Sequence, residues 1–516
     1  MAELLILGLS LPVVVLLFVR YRRSAYPSLT PSRAQTRQEA IEQAVVAVRR
    51  LCGADVSGWR SFGTLWFDDE IVDKLHQLDA ADRDDAFLRR WGLRGAWRVR
   101  FVRDGTGSVL VGLSARGEVL LFDIDGPVRH LVVARERTAA ELTTAELLPR
   151  LDGGAAGLWS GTKVSGQGEL ELSEGGVERT HRLRTGTGDL RIDLNVETVG
   201  TAVLRVDSDV EVVTPDAEDV DRAEQRDAVA GVGGMLGAVV AMVVGVAILA
   251  FGGGRIDPVL LAALTVPVLL AVLGTEYAAM QGAVVNGYDG KLSWSAFRVL
   301  NVAMSLISAI VSTSVVVLAV LAGTVVAQRI GLPLLDDPVR QAGWGAWLGA
   351  AWLGLAAAGY ALLAHFGIAR VTTAPDRRSL RHAGVGVGHV VAVTLQSAIS
   401  EETVFRLLGV PVCLWLTGEP LLAAAVPAAL WAAMHSGSVV RPRWIRMGEL
   451  FVVGTVLGVV VVEVGLIAAL LAHVVYNAAS MIVPLLAGER TPGERAARRT
   501  RSADKKAHGR RVIARH

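Results

Sequence analysis

Residues 451–477 read FVVGTVLGVVVVEVGLIAALLAHVVYN, a run whose one formal charge is Glu463. It is too long and too apolar for an ordinary core helix, since one bilayer crossing takes about 20 such residues. The break at Glu463-Val464-Gly465 predicts two closely spaced helices, over 447–463 and 464–487. Outward from this run the same composition holds from 228 to 487, where 24 of 260 positions are charged. The rest of the chain is about 30% charged, against roughly 25% in a soluble protein. That split excludes one soluble globular domain, and 52% hydrophobic content excludes a disordered chain. The expected fold is an α-helical polytopic membrane protein with an inserted soluble α+β domain.

Nine apolar stretches are predicted to span the membrane. They lie at about 3–19, from Val229 onward, and near 258–280, 299–327, 343–367, 387–416, 420–437, 447–463 and 464–487. Lys291, Arg298, Arg370, Arg377, Arg378, Arg381, Arg441, Arg443 and Arg446 fall in alternate connections, whereas Arg255, Arg329 and Arg340 occupy the others. By the positive-inside rule the N-terminus is outside, and residues 24–227 and the C-terminal tail are cytoplasmic. In the first segment Arg20, Arg22 and Arg23 follow the apolar run, which suits an anchor and not a cleavable signal peptide. The expected organisation is an anchor at 1–23, a soluble region at 24–227, eight membrane helices at 228–487 and a basic tail at 488–516.

The soluble region has a net charge of −9 and the tail +7. An acidic domain argues against nucleic acid as a partner, and a basic tail beside a bilayer is expected on anionic lipid headgroups. Cys52 and Cys413 form neither a disulfide framework nor a metal spacing. Apolar spacing predicts a helix over 34–51. WRVRFVRD, GSVLVGLS and EVLLFDI then alternate as strands; a helix over 138–150 precedes GELELS, VERTHRLRT, DLRIDLNVE and TAVLRVDS. Helix followed by antiparallel strands, twice, reads as a duplicated module. His76, His130 and His181 are too scattered for a metal site and are expected on the surface or in packing.

Charge at bilayer depth costs at least ~2.5–3.5 kcal/mol, so each ionisable residue there needs a reason. Glu402 and Arg406, four apart on one helix, neutralise each other. Glu401 points about 100° away and must find a partner elsewhere. His435 ends the seventh segment, and His473 and Asn477 share a face of the last. A carboxylate and an imidazole can deprotonate water, while a second imidazole and an amide can stabilise an oxyanion. Packing alone is the rival explanation, and it is the expected one for His365 and His389. Glu276, Gln396 and Glu463 have no evident partner in the sequence. On predicted depth alone, Glu401 falls near the midplane, His435 near the inner end of its helix and His473 nearer the outer side.

EETVFR at 401–406, WAAMH at 431–435 and HVVYN at 473–477 resemble the three motifs of the type II CAAX prenyl protease family, also called CPBP or Abi intramembrane proteases: EExxxR, FxxxH and HxxxN. The resemblance covers roughly 385–480, and it implies an eight-helix membrane domain and peptide-bond hydrolysis. The modules before it resemble PepSY-type folds, which often sit outside the cell, whereas the loop charges favour the inside. By resemblance Glu401 is the general base and His435 holds the attacking water. His473 and Asn477 form the oxyanion site, and Glu402 with Arg406 braces the helix. Trp431 stands where the family usually has Phe, a change expected to alter pocket shape and not chemistry. Glu401, His435 and His473 could also make a one-carboxylate, two-histidine zinc site. Asn477 is a poor zinc ligand and HExxH is absent, so a metal-free reaction is the favoured expectation. Expected partners are lipid and a membrane-associated or lipidated peptide substrate. The rivals are a non-proteolytic scaffold or immunity-type protein and, last, a proton-coupled transporter, for which no inverted repeat is evident.

Overall fold

The computed structural model describes residues 2–25, 37–68, 95–114, 117–152, 162–171, 177–186, 190–213, 242–250, 256–371, 387–435 and 440–486, with a few isolated positions between them. His76 and the tail lie outside the described residues, as does most of the predicted span after Val229.

In the soluble region α2 (Arg37–Cys52) turns Ala40, Ala44, Val48 and Leu51 inward, an i, i+4 stripe that covers one face of a sheet. The strands are β1 (Arg60–Trp66), β2 (Ala96–Arg103), β3 (Gly107–Leu113), β4 (Val119–Asp125), β5 (Lys163–Glu171), β6 (Val177–Gly186), β7 (Leu190–Val199) and β8 (Ala202–Val212). They form one antiparallel sheet in the order β1-β2-β3-β4-β8-β7-β6-β5. Two four-stranded meanders thus meet edge to edge, paired at Phe122↔Val206 and Asp123↔Arg205. Alternation along β7 buries Leu190, Ile192, Leu194 and Val196 against the helices.

The predicted helix over 138–150 is shorter, α4 (Thr144–Asp152). It starts where Thr143 and Glu146 bond reciprocally, the Glu146 carboxylate accepting from the Thr143 amide at 2.9 Å. A helix the periodicity did not reveal, α3 (Pro127–Glu136), begins on Gly126 and Pro127; ten residues are too few for a clear stripe.

The helical part comprises α1 (Ala2–Ala25), α5 (Pro258–Gly287), α6 (Trp294–Arg329), α7 (Pro338–His365), α8 (Val387–Glu402), α9 (Val410–Thr417), α10 (Pro420–Met434), α11 (Arg443–Glu463) and α12 (Leu466–Leu486). Among the described residues four of these, α5, α6, α7 and α11, are long and apolar enough to cross a membrane. α10, at 15 residues, is a shorter apolar helix. The chain is therefore mostly helical, with a separate antiparallel sheet domain, as a polytopic membrane protein with an inserted domain requires.

The first helix is part of the bundle, since α1 lies along α7. A Cβ on Gly354 would collide with the Val14 carbonyl oxygen, and Trp347 Nε1 donates to Ser10 Oγ at 2.8 Å. On another face of α7 a Cβ at Gly349 would meet the Ala472 carbonyl at 2.7 Å. Small residues let these backbones approach, as in membrane helix packing.

The sheet rests on the α5–α6 turn. Arg100 Nε donates to the Val285 carbonyl at 2.8 Å, and Asp104 accepts the Trp294 amide at 2.8 Å. Phe62 and Val102 pack there with Val284, Tyr288, Trp294 and Phe297.

Candidate active site

Between α8 and α9 the chain does not stay α-helical: Thr403–Gly409 winds as a π-helix. Pro411 has no N–H for the Leu407 carbonyl, so the four-residue ladder is broken at this point. That carbonyl lies against α6, in the space a Cβ of Gly323 would fill. Wide turns of this kind concentrate at functional sites, and this one follows Glu401 and Glu402 directly.

The structure brings Glu401, His435 and His473 together. Glu401 Oε2 is 3.5 Å from His435 Nε2 and 3.8 Å from His473 Nε2. The depth mismatch read from the sequence disappears, because α10 is short. It ends at Met434, having run only about 22 Å at 1.5 Å per residue. Gly418, in the left-handed turn between α9 and α10, is equally far along the chain from Glu401 and His435. The helical hairpin therefore sets them side by side.

Asn477 joins less directly, its Nδ2 donating to Ser397 Oγ at 3.5 Å while Ser397 Oγ donates to Glu401 Oε1 at 2.6 Å. Behind them Glu402 accepts from His473 Nδ1 at 2.8 Å and lies 3.5 Å from Arg406 Nε, both members of that ion pair being 1% exposed.

Two participants were missed. Ser397 has the i, i+4 spacing to Glu401 that could have revealed it. Trp431 was expected to affect shape alone, but its Nε1 donates to Glu401 Oε2 at 2.6 Å, and so it meets the candidate base directly. The reason is that an indole carries a donor that a phenyl ring lacks.

His435 Nδ1 lies 2.8 Å from the Trp431 carbonyl, which can only accept, so Nδ1 carries the proton. The same argument applies to His473 Nδ1 beside Glu402. Where Nδ1 alone carries the proton, as at His435, a bare Nε2 faces Glu401 across a gap wider than a good direct hydrogen bond. Both atoms are then acceptors, so a water placed between them would donate one O–H to each.

Of the other intramembrane groups, Glu276 accepts from Ser308 Oγ at 2.8 Å and Gln396 from Thr275 Oγ1 at 3.0 Å, so both have the partners the sequence did not disclose. His365 is an exposed last residue of α7 against Phe366, not a group packed between helices. In the soluble region His181 is buried between Thr144 and Thr198, a packing histidine. An apolar recess of about 410 Å³, lined by Val239, Met242, Val243, Val315, Leu318 and Val404, opens beside the π segment.

Among the described residues no group of three or more His, Cys, Asp or Glu is arranged to hold a metal ion. Both imidazoles aim at one carboxylate oxygen, and each Glu401 oxygen already accepts a short bond. Zinc donors surround a common centre at about 2.0–2.2 Å, so a metal here would compete for Glu401 with the Ser397 hydroxyl and the Trp431 indole.

Comparison with known proteins adds context. The family model described as type II CAAX prenyl endopeptidase Rce1-like matches residues 384–479, the segment that holds all of these groups. The chain is also 30% identical over 473 residues to the sporulation-killing factor biosynthesis protein SkfC of Bacillus subtilis (strain 168), covering 92% of this chain and 93% of that protein. No solved structure matches.

Proposed function

This chain belongs to the Rce1-like type II CAAX prenyl endopeptidase family, and we propose that it is an intramembrane endopeptidase acting on membrane-associated or lipidated proteins. The observation that carries the proposal is the convergence of two imidazole Nε2 atoms on one oxygen of Glu401. In the proposed reaction a water held by Glu401 and His435 loses a proton to Glu401 as its oxygen attacks the carbonyl carbon. His473 and Asn477 stabilise the oxyanion; His473 can do so with both nitrogens protonated, since Glu402 faces the other one. Glu401 then returns the proton to the departing amine as the C–N bond breaks. Glu402 and Arg406 hold the helix, and no metal takes part.

The proposed organisation is an anchor at 1–23, a duplicated α+β region at 24–227, eight membrane helices at 228–487 and a tail at 488–516. Its N-terminus is outside, and its soluble region and tail are cytoplasmic. The apolar recess beside Val404 suits the chain of a lipidated substrate. SkfC is named for biosynthesis of a killing factor; by analogy, the substrate proposed here is the precursor of a membrane-associated peptide factor. A non-proteolytic scaffold is the rival.

The deciding experiment compares protein termini by mass spectrometry in cells expressing wild type or Glu401→Gln at matched levels. Termini found only with the wild type support proteolysis and identify substrates. Equal termini, with the variant still rescuing a deletion phenotype, favour the scaffold.

A further inference from the structure

We infer that Trp431 is the positioning residue for the candidate base, holding Glu401 through its indole N–H and linking it to the Glu402–Arg406 pair. The inference rests on the proteolytic reading for its effect on rate, but not for its geometry.

Trp431 is 1% exposed, and both ends of its ring are occupied. Its Nε1 donates to Glu401 Oε2, the same oxygen that faces both imidazoles. Its π face carries the Arg406 guanidinium, with Cζ 4.3 Å from the ring centroid. Arg406 pairs with Glu402, Glu402 accepts from His473 Nδ1, and His473 Nε2 faces Glu401 again. These contacts close a ring, Glu401–Trp431–Arg406–Glu402–His473. Trp431 is the member of it that bonds Glu401 and stacks on Arg406 at once.

The backbone ties in the remaining imidazole, since the Trp431 carbonyl accepts from His435 Nδ1 at 2.8 Å. One residue therefore sets the rotamer of Glu401 by its side chain and the orientation of His435 by its main chain. A carboxylate without that donor keeps Ser397 on Oε1 but has Oε2 free to swing away from the two histidines. Hydrogen bonds to charged groups are strong and directional, which suits this one to fixing a base where a small displacement is costly.

Two replacements separate the donor from the ring. Trp431→Phe keeps an aromatic face for Arg406 and deletes the N–H. Incorporating 3-benzothienylalanine at 431 keeps the bicyclic shape and replaces the N–H by sulfur. Kinetics are read on a quenched fluorescent peptide spanning a cleavage site found by the termini comparison. Both variants are expected to lower kcat by about tenfold or more, the loss of one charged hydrogen bond, with KM unchanged.

A second reading needs no substrate. In full-length protein labelled with ¹⁵N on its 12 tryptophans, the indole signal missing from Trp431→Phe should shift in Glu401→Gln. A kcat for the benzothienyl variant equal to wild type overturns the positioning role. An indole signal indifferent to Glu401→Gln overturns the contact itself. If Glu401→Gln cleaves like wild type, the proteolytic reading falls instead, and the indole signal still judges whether Trp431 holds Glu401.

Discussion

His473 Nδ1 and Glu402 Oε1 lie 2.8 Å apart, and the other oxygen of that carboxylate stands 3.5 Å from Arg406 Nε. Glu402 thus serves an imidazole of the candidate site and a buried guanidinium together. Removing one partner of a buried ion pair costs about 3–5 kcal/mol, because the other charge is left uncompensated. Glu402→Gln is therefore expected to lower the thermal midpoint in detergent and to slow cleavage. Glu402→Gln with Arg406→Met should recover stability without recovering cleavage. A Glu402→Gln protein that melts with the wild type would falsify the bracing role.

Gly454 on α11 faces the same group. A Cβ there would stand 2.9 Å from Ala428 Cβ, 3.0 Å from Trp431 Cε3 and 3.1 Å from Arg406 Nη2. One turn along, a Cβ at Gly458 would meet Ala424 Cα at 2.8 Å, away from the site. Overpacking of this kind costs about 1–3 kcal/mol, so both alanine variants should melt earlier. Gly454→Ala alone should also lose kcat per folded molecule, because it pushes on Trp431. Equal kcat losses in the two variants would separate the packing from the chemistry.

The polar residues of this site were legible because a charge in an apolar run must have a partner, and Glu401, His435 and His473 were such residues. Ser397 and Trp431 were not, since a serine or tryptophan costs little in a membrane helix and needs no explanation there. Depth was misread for a physical reason: composition marks where a helix is apolar but not how the α9–α10 hairpin folds back, and that hairpin returns His435 to Glu401. In the soluble region alternation disclosed most of the strands, whereas the meeting of β4 with β8 depends on just two residue pairs that no local pattern encodes.

The seat of the soluble region on the α5–α6 turn depends on Arg100, 5% exposed, whose Nε donates to the Val285 carbonyl and Nη1 to Ser108 Oγ. Arg100→Met leaves both acceptors without that donor, a loss of about 1.5–3 kcal/mol for a charged hydrogen bond. Hydrogen exchange of residues 284–298 should rise by tenfold or more in the variant, with exchange in β6 and β7 unchanged. Unaltered exchange at 284–298 would show that the apolar contacts of Tyr288 and Trp294 suffice to hold the sheet there.

His181 gives the soluble region a pH dependence of definite sign. Burial, and then the positive charge of Arg179, hold its pKa below the ordinary value of about 6.5. The folded ring therefore stays neutral at a pH where the unfolded chain binds a proton. Stability is complete above the unfolded pKa, declines as pH falls below it, and levels off once pH passes the folded value. Limited proteolysis of the full-length protein should accordingly cut the 177–213 strands faster at pH 5.5 than at pH 7.5. Carboxylates with lowered values, Glu136 and Glu146 among them, act at lower pH and leave this window to the histidine. His181→Gln keeps a hydrogen-bonding group between Thr144 and Thr198 but cannot titrate, so its cleavage rate should change much less between the two pH values. A variant as pH-sensitive as the wild type would assign the effect to another group.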